Sequence, residues 1–132
     1  RSARAERFFP YTPNWHAVAA LNTGAELILT EGLDVCFARH EACAAFCREG
    51  LDALGIALFP ATDAVSSPTV TAARVPDNIS WNDFNARLRA EGLGVAGSYG
   101  PMAGKVFRLG HMGSQADEEL VKQALEVIGK VL

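Results

Sequence analysis

Gly104-Lys105-Val106-Phe107-Arg108-Leu109-Gly110-His111-Met112-Gly113 reads as a strand that runs out into a glycine-rich turn. Apolar Val106, Phe107 and Leu109 mark a β-type run over about residues 105–109, and the glycines beyond it end the run. Arg108 stands inside this run. An arginine there must reach solvent or find an anionic partner, because burying it alone is very costly. Its planar fork suits bidentate binding of a carboxylate. Flanking glycines let a ligand or another backbone come close. On these residues alone Arg108 is a surface arginine, one half of a structural ion pair, or a carboxylate site. His111 is an acid/base group or a turn residue, and the composition around it favours the turn.

Working outward, Ser114 is the expected cap of a last helix reaching about Val131, with Asp117 three residues on in a capping-box arrangement. Leu120, Val121, Ala124, Leu125 and Ile128 form its apolar stripe. On the other side lies a second β-type run at about residues 93–97. Ser98-Tyr99-Gly100-Pro101-Met102-Ala103-Gly104 connects the two, a turn by composition. Ser80 is the expected cap of a helix over about residues 81–91 that stops at Gly92. Further β-type runs fall at residues 56–59 and 69–75, separated by a serine-rich loop. Before them a long helix over about residues 33–54 stops at Gly55. A first helix over about residues 13–30 opens at Thr12-Pro13, read as N-cap and first-turn proline, and closes near Gly32. The order helix, helix, strand, strand, helix, strand, strand, helix favours an α+β fold: a small, mostly antiparallel sheet with helices packed on one face. Residues 1–12 read as an arm leading in and residues 13–132 as the domain.

The 132 residues suffice for one compact domain. An apolar fraction of 49% and a charged fraction of 20% are ordinary for a globular chain. No apolar run approaches the roughly 18–20 residues of a membrane-spanning helix, so no membrane is expected. A net charge of -3 argues against a nucleic-acid partner. The chain begins with Arg1 rather than Met and shows no secretory leader, so a trimmed end within something longer is expected. Three cysteines, without paired spacings, point to a reducing, cytoplasmic setting.

Cys36, His40, Cys43 and Cys47 would share one face of the second helix, spaced as soft-metal ligands can be. Leu33, Leu51 and Leu54 continue that stripe, which favours a core-facing helix and no metal site. Thr12 would sit at a helix N-terminus, where free N–H groups can hold a phosphate. No nucleophile elbow, phosphate loop or zinc-protease motif is present. Lys105, Lys122 and Lys130 stand in no pocket expected to depress a lysine pKa.

Together, Pro10-Tyr11-Thr12-Pro13-Asn14-Trp15-His16-Ala17-Val18-Ala19-Ala20-Leu21, Ser67-Pro68-Thr69-Val70-Thr71-Ala72 and the segment from Gly104 to Gly113 resemble, in order and spacing, the C-terminal small domain of class V aminotransferases. This is the alanine–glyoxylate and serine–pyruvate group, and the likeness runs from about Phe8 to Leu132, with Phe107–Gly113 its most specific part. The resemblance implies an aspartate-aminotransferase-like fold and a homodimer using pyridoxal phosphate, bound to a lysine. An amino group would pass from a small amino acid (alanine, serine or aspartate) to a keto acid such as glyoxylate or pyruvate.

By the same resemblance Arg108 binds the substrate α-carboxylate, and Thr12 reaches the cofactor phosphate of the second subunit. A helping tyrosine or threonine of the family falls near Phe9 here, which departs from the pattern. The family's lysine, its pyridine-pairing aspartate and its main phosphate loop belong to a large domain for which these residues offer no replacement. The chain alone is therefore expected to be inactive, with its own large domain and a second subunit as partners. The alternative is a free-standing binding module derived from that domain. Phe8, Phe9, Tyr11 and Trp15 weigh against it, as more apolar surface than a solitary domain tolerates comfortably.

Overall fold

The computed structural model describes residues 11–62 and 65–132. The expectations for the leading arm, including the contact near Phe9, and part of those for the serine-rich loop lie outside the described residues. The chain divides into two compact units, one ending at Cys36 and one running from Phe37 to Leu132.

In the first unit, helix α1 spans Trp15–Glu31. Its cap is Asn14, whose side chain accepts from the Ala17 N–H at 3.1 Å, and not Thr12. The physical reason is that asparagine ranks above threonine at this position. The helix stops at Gly32, whose φ of 91° lies in the left-handed region that glycine adopts without strain. None of α1's residues is buried.

Helix α2, Leu33–Ala53, follows at once and ends before Gly55. Cys36, His40, Cys43, Cys47 and Leu51 are all buried, as a core-facing stripe requires, but Leu33 is half exposed, so the stripe starts only at Cys36. Of the β-type run at residues 56–59, a single bridge from Leu58 to Ala73 remains. Strand β1 is Val70–Arg74 and helix α3 is Trp81–Ala90. Ser80 caps α3 as expected, accepting from the Asp83 N–H at 3.1 Å. Strand β2 is Ala96–Gly97, shorter than expected, and strand β3 is Val106–Gly110. Helix α4 spans Glu118–Val131. Its cap is Asp117, which accepts from the Glu119 and Leu120 N–H groups, and Ser114 lies in a short 3-10 turn instead. One carboxylate satisfying two orphan donors is stronger than a hydroxyl satisfying one. Leu120 is 40% exposed, so it leaves the predicted stripe, and Val131 joins it.

The sheet has the order β1-β3-β2, antiparallel throughout. Register sets Thr71 opposite Leu109, Ala73 opposite Phe107, and Ala72 opposite Arg108. Because neighbours along a strand point to opposite faces, Phe107 and Leu109 share one face with Thr71 and Ala73. That face carries the core: Cys47 and Leu51 of α2, Phe84 and Leu88 of α3, and Val121, Leu125 and Ile128 of α4. Phe84 and Phe107 meet edge to face, with ring centroids 5.4 Å apart. The fold is the expected α+β arrangement of a small antiparallel sheet and helices. Arg108 is turned to the opposite face.

Candidate functional site

Arg108 sits midway along β3, the central strand, half-buried between Ala72 of β1 and Ala96 of β2. Its small neighbours leave room for the long side chain to cross the sheet. The guanidinium reaches the end of β2, where Nε and Nη2 donate to the Gly97 carbonyl at 3.1 and 2.8 Å. That carbonyl takes one edge of the fork. Nη1, and the second hydrogen of Nη2, remain for an acceptor approaching end-on, which is the bidentate geometry a carboxylate needs. Among the described residues no acidic side chain pairs with Arg108, so the structural ion-pair reading is not what these residues form. Arg108 Cζ lies over the ring of Tyr99, 5.5 Å from its centroid.

Gly97 itself is held from behind. A Cβ there would stand 2.9 Å from Cζ2 of Trp81, the first residue of α3. Glycine is therefore required by close packing and not by φ.

His111 follows β3 directly and is fully buried, which replaces the simple turn reading. Its Nε2 lies 2.8 Å from Oγ1 of Thr71, and its backbone N–H donates to the Thr69 carbonyl. Burial lowers the His111 pKa below its usual value, against backbone polar groups at Pro68 that raise it. Two residues on, Gly113 is gripped by α2: its N–H donates to His40 Nε2 at 3.0 Å and its carbonyl accepts from Arg39 Nη1 at 2.8 Å. The turn that carries the chain away from Arg108 is thus tied to both β1 and α2.

The cysteines are free and buried. Burial pushes the Cys43 and Cys47 thiols up, away from the thiolate that metal binding or nucleophilic attack requires. No group of three or more potential metal ligands is found among the described residues. No described helix is long and apolar enough to cross a membrane.

Thr12, in the first unit, is exposed and precedes the Asn14 cap of α1 by two residues. The cap takes the Ala17 N–H and leaves those of Trp15 and His16 at the helix end without an acceptor among the described residues. An exposed hydroxyl beside unoccupied helix N–H groups is chemically suited to a phosphate.

The sequence points to Arg108 but not to Gly97 and Tyr99, which contact it, nor to Thr71, which bonds His111. Only strand register brings these together, and no local pattern in the sequence encodes it.

No family model matches the chain. Among curated proteins, an uncharacterized aminotransferase from Methanocaldococcus jannaschii is 41% identical over 113 residues, covering 85% of this chain and 29% of that protein. The L-aspartate–glyoxylate aminotransferase of Paracoccus denitrificans is 38% identical over 114 residues, covering 86% of this chain and 29% of that protein. The crystal structure of pyridoxamine–pyruvate aminotransferase from Mesorhizobium loti superposes with a TM-score of 0.89 at 33% identity, covering 94% of this chain and 32% of that one. These likenesses define an aminotransferase-like domain. The chain is homologous to the C-terminal part of the class V, pyridoxal-phosphate-dependent aminotransferases, and it spans about a third of the length of the relatives it matches.

Proposed function

We propose that this chain supplies the substrate-carboxylate clamp of a class V aminotransferase that moves an amino group from a small amino acid to a keto acid such as glyoxylate or pyruvate. The observation that carries this reading is the free end of the Arg108 fork, whose other edge is tied to the Gly97 carbonyl and which meets no acid among the described residues. Amino and keto acids share one feature, the α-carboxylate. A fixed bidentate donor therefore serves both halves of a transamination without change, and it sets the distance from carboxylate to reacting carbon.

Pyridoxal phosphate, when bound, supplies the electron sink for the amino-group exchange. Of this chain, Thr12 and the N-terminus of α1 fit its phosphate, and we assign the threonine hydroxyl as a donor to the cofactor of a second subunit. The cofactor lysine, its aspartate and the main phosphate loop would come from the remainder of a full-length enzyme, so the chain alone would be inactive. The three free thiols favour a reducing, cytoplasmic setting.

The test is Arg108→Ala beside Thr12→Ala in the full-length protein. Charge-assisted hydrogen bonds contribute about 1.5–3 kcal/mol, so Arg108→Ala should raise KM for both substrates roughly ten- to a hundredfold. Thr12→Ala should leave those constants near wild type while weakening cofactor binding, followed by absorbance titration. If Arg108→Ala left turnover and KM both unchanged, the clamp would be wrongly placed.

A further inference from the structure

Tyr99 lies just before the 3-10 turn Gly100–Met102, in the connection between β2 and β3. Its backbone is extended, and Gly100, at a φ of 54°, turns the chain back toward β3. The side chain is 81% exposed, so core packing does not explain a large aromatic here. Yet Arg108 Cζ lies over its ring, 5.5 Å from the centroid. We infer that Tyr99 is a positioning residue for the substrate carboxylate, acting through Arg108, an inference that rests on the clamp reading above.

The geometry divides the labour. The Gly97 carbonyl accepts from Nε and Nη2 and so fixes one edge of the fork. A single acceptor atom still lets the plane tilt about that edge, which swings Nη1 most. A ring attracting the cation at Cζ opposes the tilt. The recorded contact is between the ring and Cζ, and the fork's hydrogen bonds go to Gly97, so Tyr99 does not compete with the ligand for a donor. The ring also keeps water off one side of the cation, which strengthens its attraction for an anion. The free edge is thereby oriented before substrate arrives, and less orientational freedom is lost on binding.

The test uses Tyr99→Phe, Tyr99→Leu and Tyr99→Ala in the full-length protein, with Arg108→Ala alongside. KM and kcat are measured for amino acid and keto acid, and acetate serves as a simple carboxylate inhibitor. Tyr99→Ala and Tyr99→Leu should raise both KM values and the acetate inhibition constant by roughly two- to fivefold, the worth of an exposed cation–π contact. The kcat at saturation should hold, and Tyr99→Phe should behave as wild type because the ring face is retained. Exposure of the side chain keeps folding out of the question. If Arg108→Ala weakens acetate while Tyr99→Ala and Tyr99→Leu do not, this inference alone falls. If Arg108→Ala leaves acetate inhibition untouched, the clamp reading falls with it. Tyr99→Phe as damaging as Tyr99→Ala, or a loss confined to kcat, overturns the role of the ring.

Discussion

At the scale of single residues, His111 shows how a position legible as a turn acquires a second property. Gly110 and Gly113 announce a turn, and they do flank one, but nothing local shows that the imidazole between them is folded against Thr71 in the core. Burial favours the neutral ring and lowers its pKa. In the unfolded chain the ring protonates near its ordinary value of about 6.5. Between that value and its lower folded value, the unfolded state binds the extra proton. The stabilising contribution is therefore complete above pH 6.5 and is lost as pH falls through the window below it, with a slope of at most about 1.4 kcal/mol per pH unit. Melting curves of wild type and His111→Gln from pH 7.5 to 5 check this. The variant should lack part of the acid-side decline, and identical declines in the two proteins would show that His111 is not responsible.

At the scale of elements, the helix ends divide sharply into those the sequence reveals and those it conceals. Gly32, Gly55 and Gly92 were expected as stops, and all three take positive φ. Ser80 caps α3 although Asn82 and Asp83 follow two and three residues downstream. Thr12 and Ser114 each had a better acceptor two or three residues downstream, Asn14 and Asp117, and lost to it. Strands were the weaker part, since residues 56–59 keep one bridge and β2 keeps two residues. Pairing decides strand extent, and pairing partners are distant in sequence. The same distance hid the support of Arg108, where β2 matters only for the carbonyl it presents. Gly97→Ala tests that support. Its new Cβ would stand 2.9 Å from Trp81, so either the ring or the strand must move. Overpacking of this kind costs about 1–3 kcal/mol, and movement of the strand carries the carbonyl away from Arg108. A lower melting temperature and a higher KM for both substrates are expected together. Gly94→Ala, with nothing within 4 Å of its Cβ, is the matched control and should change neither. A Gly97→Ala protein with wild-type KM would mean that the Gly97 carbonyl does not hold the clamp.

At the scale of the molecule, α1 poses a problem of surface. A helix apolar on all sides is one that proteins bury, and Ala17-Val18-Ala19-Ala20-Leu21 and Ala25-Glu26-Leu27-Ile28-Leu29 come close to that description. In this chain none of α1's residues is buried, and Trp15, Val18, Leu21, Leu27 and Leu29 are each more than 60% exposed. A patch of that composition exceeds what a monomeric soluble domain ordinarily shows. The relatives are about three times longer than the aligned segment, so a partner surface supplied by further sequence is the economical account. The chain expressed by itself should therefore self-associate or bind the dye ANS strongly. Replacing Leu21 and Leu27 with Glu, at exposed positions of a helix that has no core to lose, should reduce both effects. If further sequence of a full-length protein covers α1, the same two charges should there lower stability or cofactor occupancy instead. Size-exclusion chromatography with light scattering and ANS titration of the four proteins decides it. A monomeric isolated chain with little ANS binding would show that α1 folds back on its own domain, and a full-length protein indifferent to the two glutamates would show that nothing covers the helix there.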